Sequence, residues 1–331
     1  MIAETHHSLP CEGQAKPGRL MQFVGESVQS IALASGASVW LAHRQASRRI
    51  VMLHSVGGLK LPVAEFQQAM VWLKQHFRIV ALTDMVKDIA AGQPPAVENE
   101  LAITFDDGLR NQAQLAYPIL QALDIPATIF VCPGLIEQRQ WQWNHEARAR
   151  LSRLTPEQRF AWTHAHGAPA GQTDQIIDGL KILPLQQRLA LEDSLRQATP
   201  DFEPTREERG AYDPMSWDDL ATLDPNLITI GSHTMSHPIL STLSEEQIQH
   251  ELQASRVMLE SRLARPVDLF CYPNGSHDPR VRRIAAQVYR AAVSTDEGLV
   301  PGPVADAYAI PRIPIAAHLP LLAWRMHRPT A

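Results

Sequence analysis

LAITFDDGLRNQ (Leu101–Gln112) leads an apolar run into two adjacent aspartates and a glycine. In a regular strand, successive side chains point to opposite faces, so neighbouring acids should not share a task there. Gly108 follows at once and gives the backbone freedom to turn. The stretch therefore reads as a strand, Leu101–Phe105, that carries Asp106 and Asp107 to its C-terminal end.

The same pattern recurs on both sides. Ile50–Leu53 reads as a buried strand, followed by His54. Val63–Phe77 places Phe66, Met70, Leu73 and Phe77 at helical spacing. Arg78–Leu82 is the next strand, and a helix with a cap at Thr83 runs to Gly92. After Leu101–Phe105 come a helix over Gln114–Asp124, despite Pro118, and a strand over Ala127–Cys132. Further on, strands Leu227–Gly231, Val267–Tyr272 and Arg290–Ser294 alternate with helices Glu245–Ala264 and Pro279–Tyr289, and Tyr308–Ile315 is strand-like. Strands alternating with helices imply a mostly parallel sheet, open or closed into a barrel.

Between about residues 134 and 213 the rhythm stops. The segment is rich in Gln, Arg and Ala, contains Trp141, Trp143 and Trp162, and reads as a helical insertion; Trp141 and Trp143 fit buried residues of its own core better than a stacking wall for sugar rings. Residues 1–48 form an N-terminal extension without an assignment, 49–316 the α/β unit, and 317–331 a C-terminal tail.

Bulk properties narrow the function classes. A chain of 331 residues can bury one core with an elaboration, and 45% hydrophobic with 20% charged residues is a globular balance. A net charge of -5 argues against nucleic acid as a partner. Three cysteines, Cys11, Cys132 and Cys271, are too few for a disulfide framework and lack metal-ligand spacing. Met1–Gly13 does not have the pattern of a signal peptide, and Leu20–His43 is too interrupted for a membrane span. The expected compartment is the cytoplasm.

In parallel α/β folds the chemistry sits at the C-terminal ends of the strands. Four such ends carry polar or turn-forming residues: His54, Asp106-Asp107-Gly108, His233 to His237, and Pro273-Asn274-Gly275. A helical turn would bring the imidazoles of His233 and His237 to one face. The pair alone also fits capping or core histidines. With the acids at a neighbouring strand end, a metal site is the better reading, because two histidines and one aspartate match the ligand count of a catalytic zinc. The acids then divide into one metal ligand and one base that takes a proton from water. His54 alone reads more readily as a structural histidine after a buried strand than as a general acid.

ITFDDG, SHTMSH and FCYPNG, in this order, resemble the first three motifs of the polysaccharide deacetylases, the NodB-homology family or carbohydrate esterase family 4. The resemblance spans roughly Arg49–Ile315, apart from the insertion. It implies an irregular (β/α)7-type barrel and metal-dependent removal of acetyl groups from sugars such as N-acetylglucosamine. It also implies Asp106 as catalytic base, and Asp107, His233 and His237 as ligands of a divalent metal, Zn2+ in the first instance. Val51–Val56 is similar to the opening motif of a circularly permuted branch acting on exopolysaccharides, which makes His54 the general acid. The chain departs from the family pattern at two positions. Cys271 stands where an arginine usually positions the base, and Asn274 replaces a tyrosine whose backbone N–H serves the oxyanion. Arg312, in IPRIPI at another strand end, is the candidate substitute for the missing guanidinium.

The expected activity is hydrolysis of an acetamido group on a polysaccharide, oligosaccharide or glycan precursor. The rival readings are a cyclic amide or formamide hydrolase of the same superfamily, an inactive carbohydrate-binding relative, and a glycosidase. The last leaves His233 and His237 unexplained, and adjacent acids sit awkwardly for a glycosidic carboxylate pair.

Overall fold

The computed structural model describes residues 19–95, 99–300 and 306–329. The reading of Met1–Gly13 lies outside them. Eight strands occur among the described residues: β1 (Arg49–Leu53), β2 (Arg78–Ile79), β3 (Glu100–Phe105), β4 (Ala127–Val131), β5 (Ile228–Ser232), β6 (Leu269–Cys271), β7 (Ala291–Glu297) and β8 (Ile310–Pro314). All pair in parallel. β1 lies between β3 and β8, so β1, β3, β4, β5, β6, β7 and β8 close a seven-stranded ring, with β2 appended to β3. This is the expected (β/α)7 barrel.

Alternation along the strands sorts side chains into two layers. Val51, Leu53, Leu101, Ile103, Phe105, Ile129, Ile230 and Phe270 pack outward into one large core beneath the helices. Ile50, Ala102, Phe130, Leu269, Cys271, Val293 and Ile310 form a second cluster, with Leu82, Met85, Val86 and Ile89 of helix Leu82–Ala90. A strand buried on both faces must be apolar throughout, which is why these segments appear as continuous apolar runs in the sequence. Asp106 lies on β3's Ala102–Thr104 side, continuing the inner layer beyond the strand end.

Three local readings differ from the structure. The expected strand Arg78–Leu82 is only β2, and helix Leu82–Ala90 starts before Thr83, with Ala81 at its N-cap. The strand is cut short because Leu82 turns inward as part of the inner cluster. Around Pro118 the chain is helical, but Gln112–Ala116 is wound as a π-helix that runs directly into helix Tyr117–Ala122, so the proline follows a widened turn inside a continuous helix. His233–His237 is an irregular loop and not a helical turn, with Thr234 and His237 both at positive φ.

The 134–213 segment is helical, as expected, and it has its own core. Trp143, Leu151, Trp162, Ile176, Ile177, Leu180, Leu191 and Leu195 form it, whereas Trp141 stands outside. Its helices include Trp143–Arg153, Pro156–His166, Thr173–Lys181, Leu185–Ala198 and Arg206–Tyr212. Thr155 with Gln158, and Thr205 with Glu208, close reciprocal capping boxes at two of them. At the chain's other end, helices Arg19–Ala34 and Ala37–His43 pack against helix Leu319–Arg325. Arg49, fully buried on β1, fastens this region by donating to the carbonyls of Ala42, Ser47 and Met326 and to Asn99 Oδ1.

Gly108 marks the exit from β3. Its φ is +65°, and a Cβ there would lie 2.9 Å from Val131 Cβ and 3.1 Å from Val131 Cα. A Gly108→Ala variant therefore combines left-handed strain with a backbone clash. It should lose roughly 1–3 kcal/mol in urea unfolding, and an unchanged midpoint would contradict this close approach.

Candidate active site

Strand register assembles the site. Leu53 pairs with Phe105 across β1 and β3, and the Asp106 N–H donates to Leu53 O at 2.9 Å, so the residues that follow the two strands, His54 and Asp106, emerge side by side. His54 Nε2 lies 3.8 Å from Asp106 Oδ2, with about half of the His54 side chain (52%) open to solvent. Val131 pairs with Ser232 across β4 and β5, and the His233 N–H donates to Val131 O, which sets the start of the histidine loop.

Asp107 sits at φ +78°. That left-handed step ends the strand's alternation and lets two consecutive carboxylates both be buried at one strand end. They meet different partners there. Asp106 receives a bidentate pair from Arg312 on β8, Nη1 to Oδ1 and Nη2 to Oδ2, both at 2.7 Å. Arg312 is wholly buried and also donates to Ser294 O, Thr104 Oγ1 and Cys271 Sγ. Burial pushes the Asp106 carboxyl up, but the guanidinium outweighs it and holds the group below the ordinary carboxylate range. Burial likewise keeps the Cys271 thiol protonated, its pKa raised despite Arg312.

Asp107 faces two imidazoles. Its Oδ1 is 3.5 Å from His233 Nε2 and 3.6 Å from His237 Nε2, and donor atoms of the three residues lie within 4.8 Å of one another. Among the described residues its ion-pair partners are these two histidines and no lysine or arginine. One carboxylate and two imidazoles, all buried, suit a divalent cation that keeps an open position. His233 Nδ1 meets Cys271 O at 2.7 Å, which directs Nε2 towards Asp107. Burial drives the His237 pKa down to about 3, so its ring is neutral, the form in which imidazole binds metal. Asp106, His233 and Cys271 also cluster. That set is the poorer one for a cation, because Arg312 occupies both oxygens of Asp106 and the thiol is protonated.

Several residues that the sequence did not single out hold this geometry. Gln112 Nε2 donates to the carbonyls of His54 and Asp106 at 2.7 and 2.5 Å. Asn111 accepts from the Val56 N–H and donates to Ser55 Oγ and Gly210 O. Glu251 accepts from the N–H groups of Met235 and Ser236 and from Ser236 Oγ, which fixes the histidine loop from the adjacent helix. Asn274, at φ +53°, is exposed in the turn after β6.

The model of the polysaccharide deacetylase family matches residues 93–292, more than half of the chain. The chain belongs to the polysaccharide deacetylase family. Membership makes it a hydrolase of amide bonds on carbohydrates, in a family that is generally metal-dependent. This deacetylase is 22% identical over 302 residues to YxkH of Bacillus subtilis (strain 168), a protein named for the same family, covering 89% of this chain and 80% of the relative. Its fold matches the Streptococcus pyogenes deacetylase PplD, solved in complex with acetate, at TM-score 0.57 and 17% identity, over 84% of this chain and 97% of that one. IcaB from Ammonifex degensii matches at TM-score 0.55 and 16% identity, over 85% and 97%. No helix among the described residues is long and apolar enough to cross a membrane.

The Arg312–Asp106 contact makes a specific prediction. Removing the guanidinium strands a buried carboxylate, which costs roughly 3–5 kcal/mol. In urea denaturation, Arg312→Met should show a loss of that order, and adding Asp106→Asn should restore much of it. A double variant no more stable than Arg312→Met would contradict the pairing.

Proposed function

We propose that the chain is a metal-dependent N-deacetylase that hydrolyses the acetamido group of an N-acetylglucosamine-like sugar and releases acetate. The observation that carries this reading is the division of the two acids. Asp106 is locked against Arg312 beside His54, while Asp107 faces His233 and His237.

Asp107, His233 and His237 would hold the cation, with Zn2+ fitting the mixed oxygen and nitrogen donors. Bound there, it would polarise the acetyl carbonyl and make water a stronger acid. Asp106 takes the proton from the attacking water. Its depressed pKa keeps it ionised, and Arg312 fixes both of its oxygens in orientation. The backbone N–H of Asn274, at the turn after β6, supports the developing oxyanion. His54, half exposed and next to Asp106, protonates the departing amine. In this account Arg312 is a positioning residue, acting through Asp106. A chain that binds sugar without turnover would have little use for a base clamped beside a proton donor, which favours the enzyme over an inactive relative.

The test is acetate release from N-acetylglucosamine oligomers. Chelator should abolish it and an added divalent ion restore it. Asp106→Asn should lower kcat by about 10²–10⁴-fold. His54→Ala should lose a similar factor on the amide, and much less on an aryl acetate whose leaving group needs no proton. Release that survives chelation, or near wild-type turnover by Asp106→Asn, would overturn the proposal.

A further inference from the structure

One histidine near the site has no part in this mechanism. His145 lies in the first turn of insertion helix Trp143–Arg153. Its ring stacks on Tyr212, centroids 4.4 Å apart at 25°. Trp141 meets the same tyrosine edge-on at 5.4 Å and is itself held by a 2.8 Å hydrogen bond from Nε1 to Asp213 Oδ1.

This aromatic group is fastened to the catalytic rim by main-chain and side-chain bonds. The Arg110 N–H donates to Asp213 O and the Met215 N–H to Gly108 O, so the segment after Tyr212 lies along the residues that follow Asp107. Asn111 bonds Gly210 O on one side and Ser55 Oγ, next to His54, on the other. The charges of Asp107 and His54 both act on His145. His145 is nonetheless not one of the clustered metal donors.

Its hydrogen bonding is incomplete. Nδ1 is buried and has no partner. A buried N–H without an acceptor costs more than an unused lone pair, so the neutral ring carries its proton on Nε2. Burial lowers the His145 pKa to about 4, so the ring is uncharged near neutrality. Buried polar groups in native proteins are nearly always satisfied, and an imidazole left incomplete on an aromatic wall suits a hydroxylated ring that brings its own donors and acceptors.

We propose that His145 is a substrate-binding residue whose imidazole donates from Nε2 to an oxygen of the sugar bound over Asp107, His233 and His237, with Tyr212 and Trp141 backing it as a wall. The insertion would then supply specificity to a barrel that supplies the chemistry. This inference rests on the deacetylase reading for the identity of the ligand.

The test compares His145→Phe, which keeps the ring on Tyr212 but loses the N–H, with His145→Gln, which keeps a donor. In acetate release from N-acetylglucosamine oligomers, His145→Phe should raise KM about tenfold, the equivalent of one hydrogen bond. Its kcat should stay within about threefold, its metal content should be unchanged, and His145→Gln should recover most of the KM. Direct calorimetric binding of the same oligomer to Asp106→Asn, with and without His145→Phe, should show the same tenfold difference without turnover. An unchanged KM and affinity in His145→Phe, or a fall in kcat accompanied by metal loss, would overturn the assignment. Oligomer binding that depends on His145 in a protein that releases no acetate would uphold it and sink the deacetylase reading. Absence of oligomer binding by every form would overturn both.

Discussion

A guanidinium and a carboxylate, both shut away from water inside the barrel, govern this site. Arg312 reaches across from β8 and takes both oxygens of Asp106, while its remaining donors go to Ser294, Thr104 and Cys271. Two buried charges are tolerable only when each is matched and hydrogen-bonded, and this pair meets that condition. The consequence reaches the neighbouring acid. Among the described residues Asp107 then has no lysine or arginine and presents its charge to two imidazoles, His233 and His237. One electrostatic match thus leaves the other acid to the histidines, where a divalent cation would fit.

The fold was legible where physics writes it densely. Strands buried on both faces must be apolar along their length, and β1, β3 and β4 could be placed from their apolar runs alone. What the runs do not encode is which strands adjoin. The pairing of β1 with β3 joins segments separated in sequence by two helices and by β2 itself, and only that pairing puts His54 beside Asp106. Thr83 misled as a cap because the inner cluster needed Leu82, and a buried leucine outweighs a hydroxyl at a helix start.

The site was legible for the residues that occupy strand ends and much less so for those that support them. Arg312 was visible only as an arginine in an apolar strand, and its reach to Asp106 depends on barrel closure. Gln112, Asn111 and Glu251 carried one usable signal, polar side chains on helices next to the motifs, which is common on any surface. His145 and Tyr212 were invisible because the insertion has no strand-end rule to index its residues. Its tryptophans divide accordingly: Trp143 and Trp162 fill the insertion's own core, and Trp141 faces Tyr212. The barrel thus holds the buried charges of the candidate site, while the insertion packs a core of its own.

The central claim is that adjacent aspartates do separate work. Zinc affinity of two single variants, measured by competition with a chromogenic chelator, tests it most directly. Changes just outside a metal's ligands typically cost about 10–100-fold in affinity. Asp106→Asn should fall at or below the low end of that range, and Asp107→Asn should exceed its high end. Equal losses in the two variants, or a larger loss in Asp106→Asn, would contradict the division.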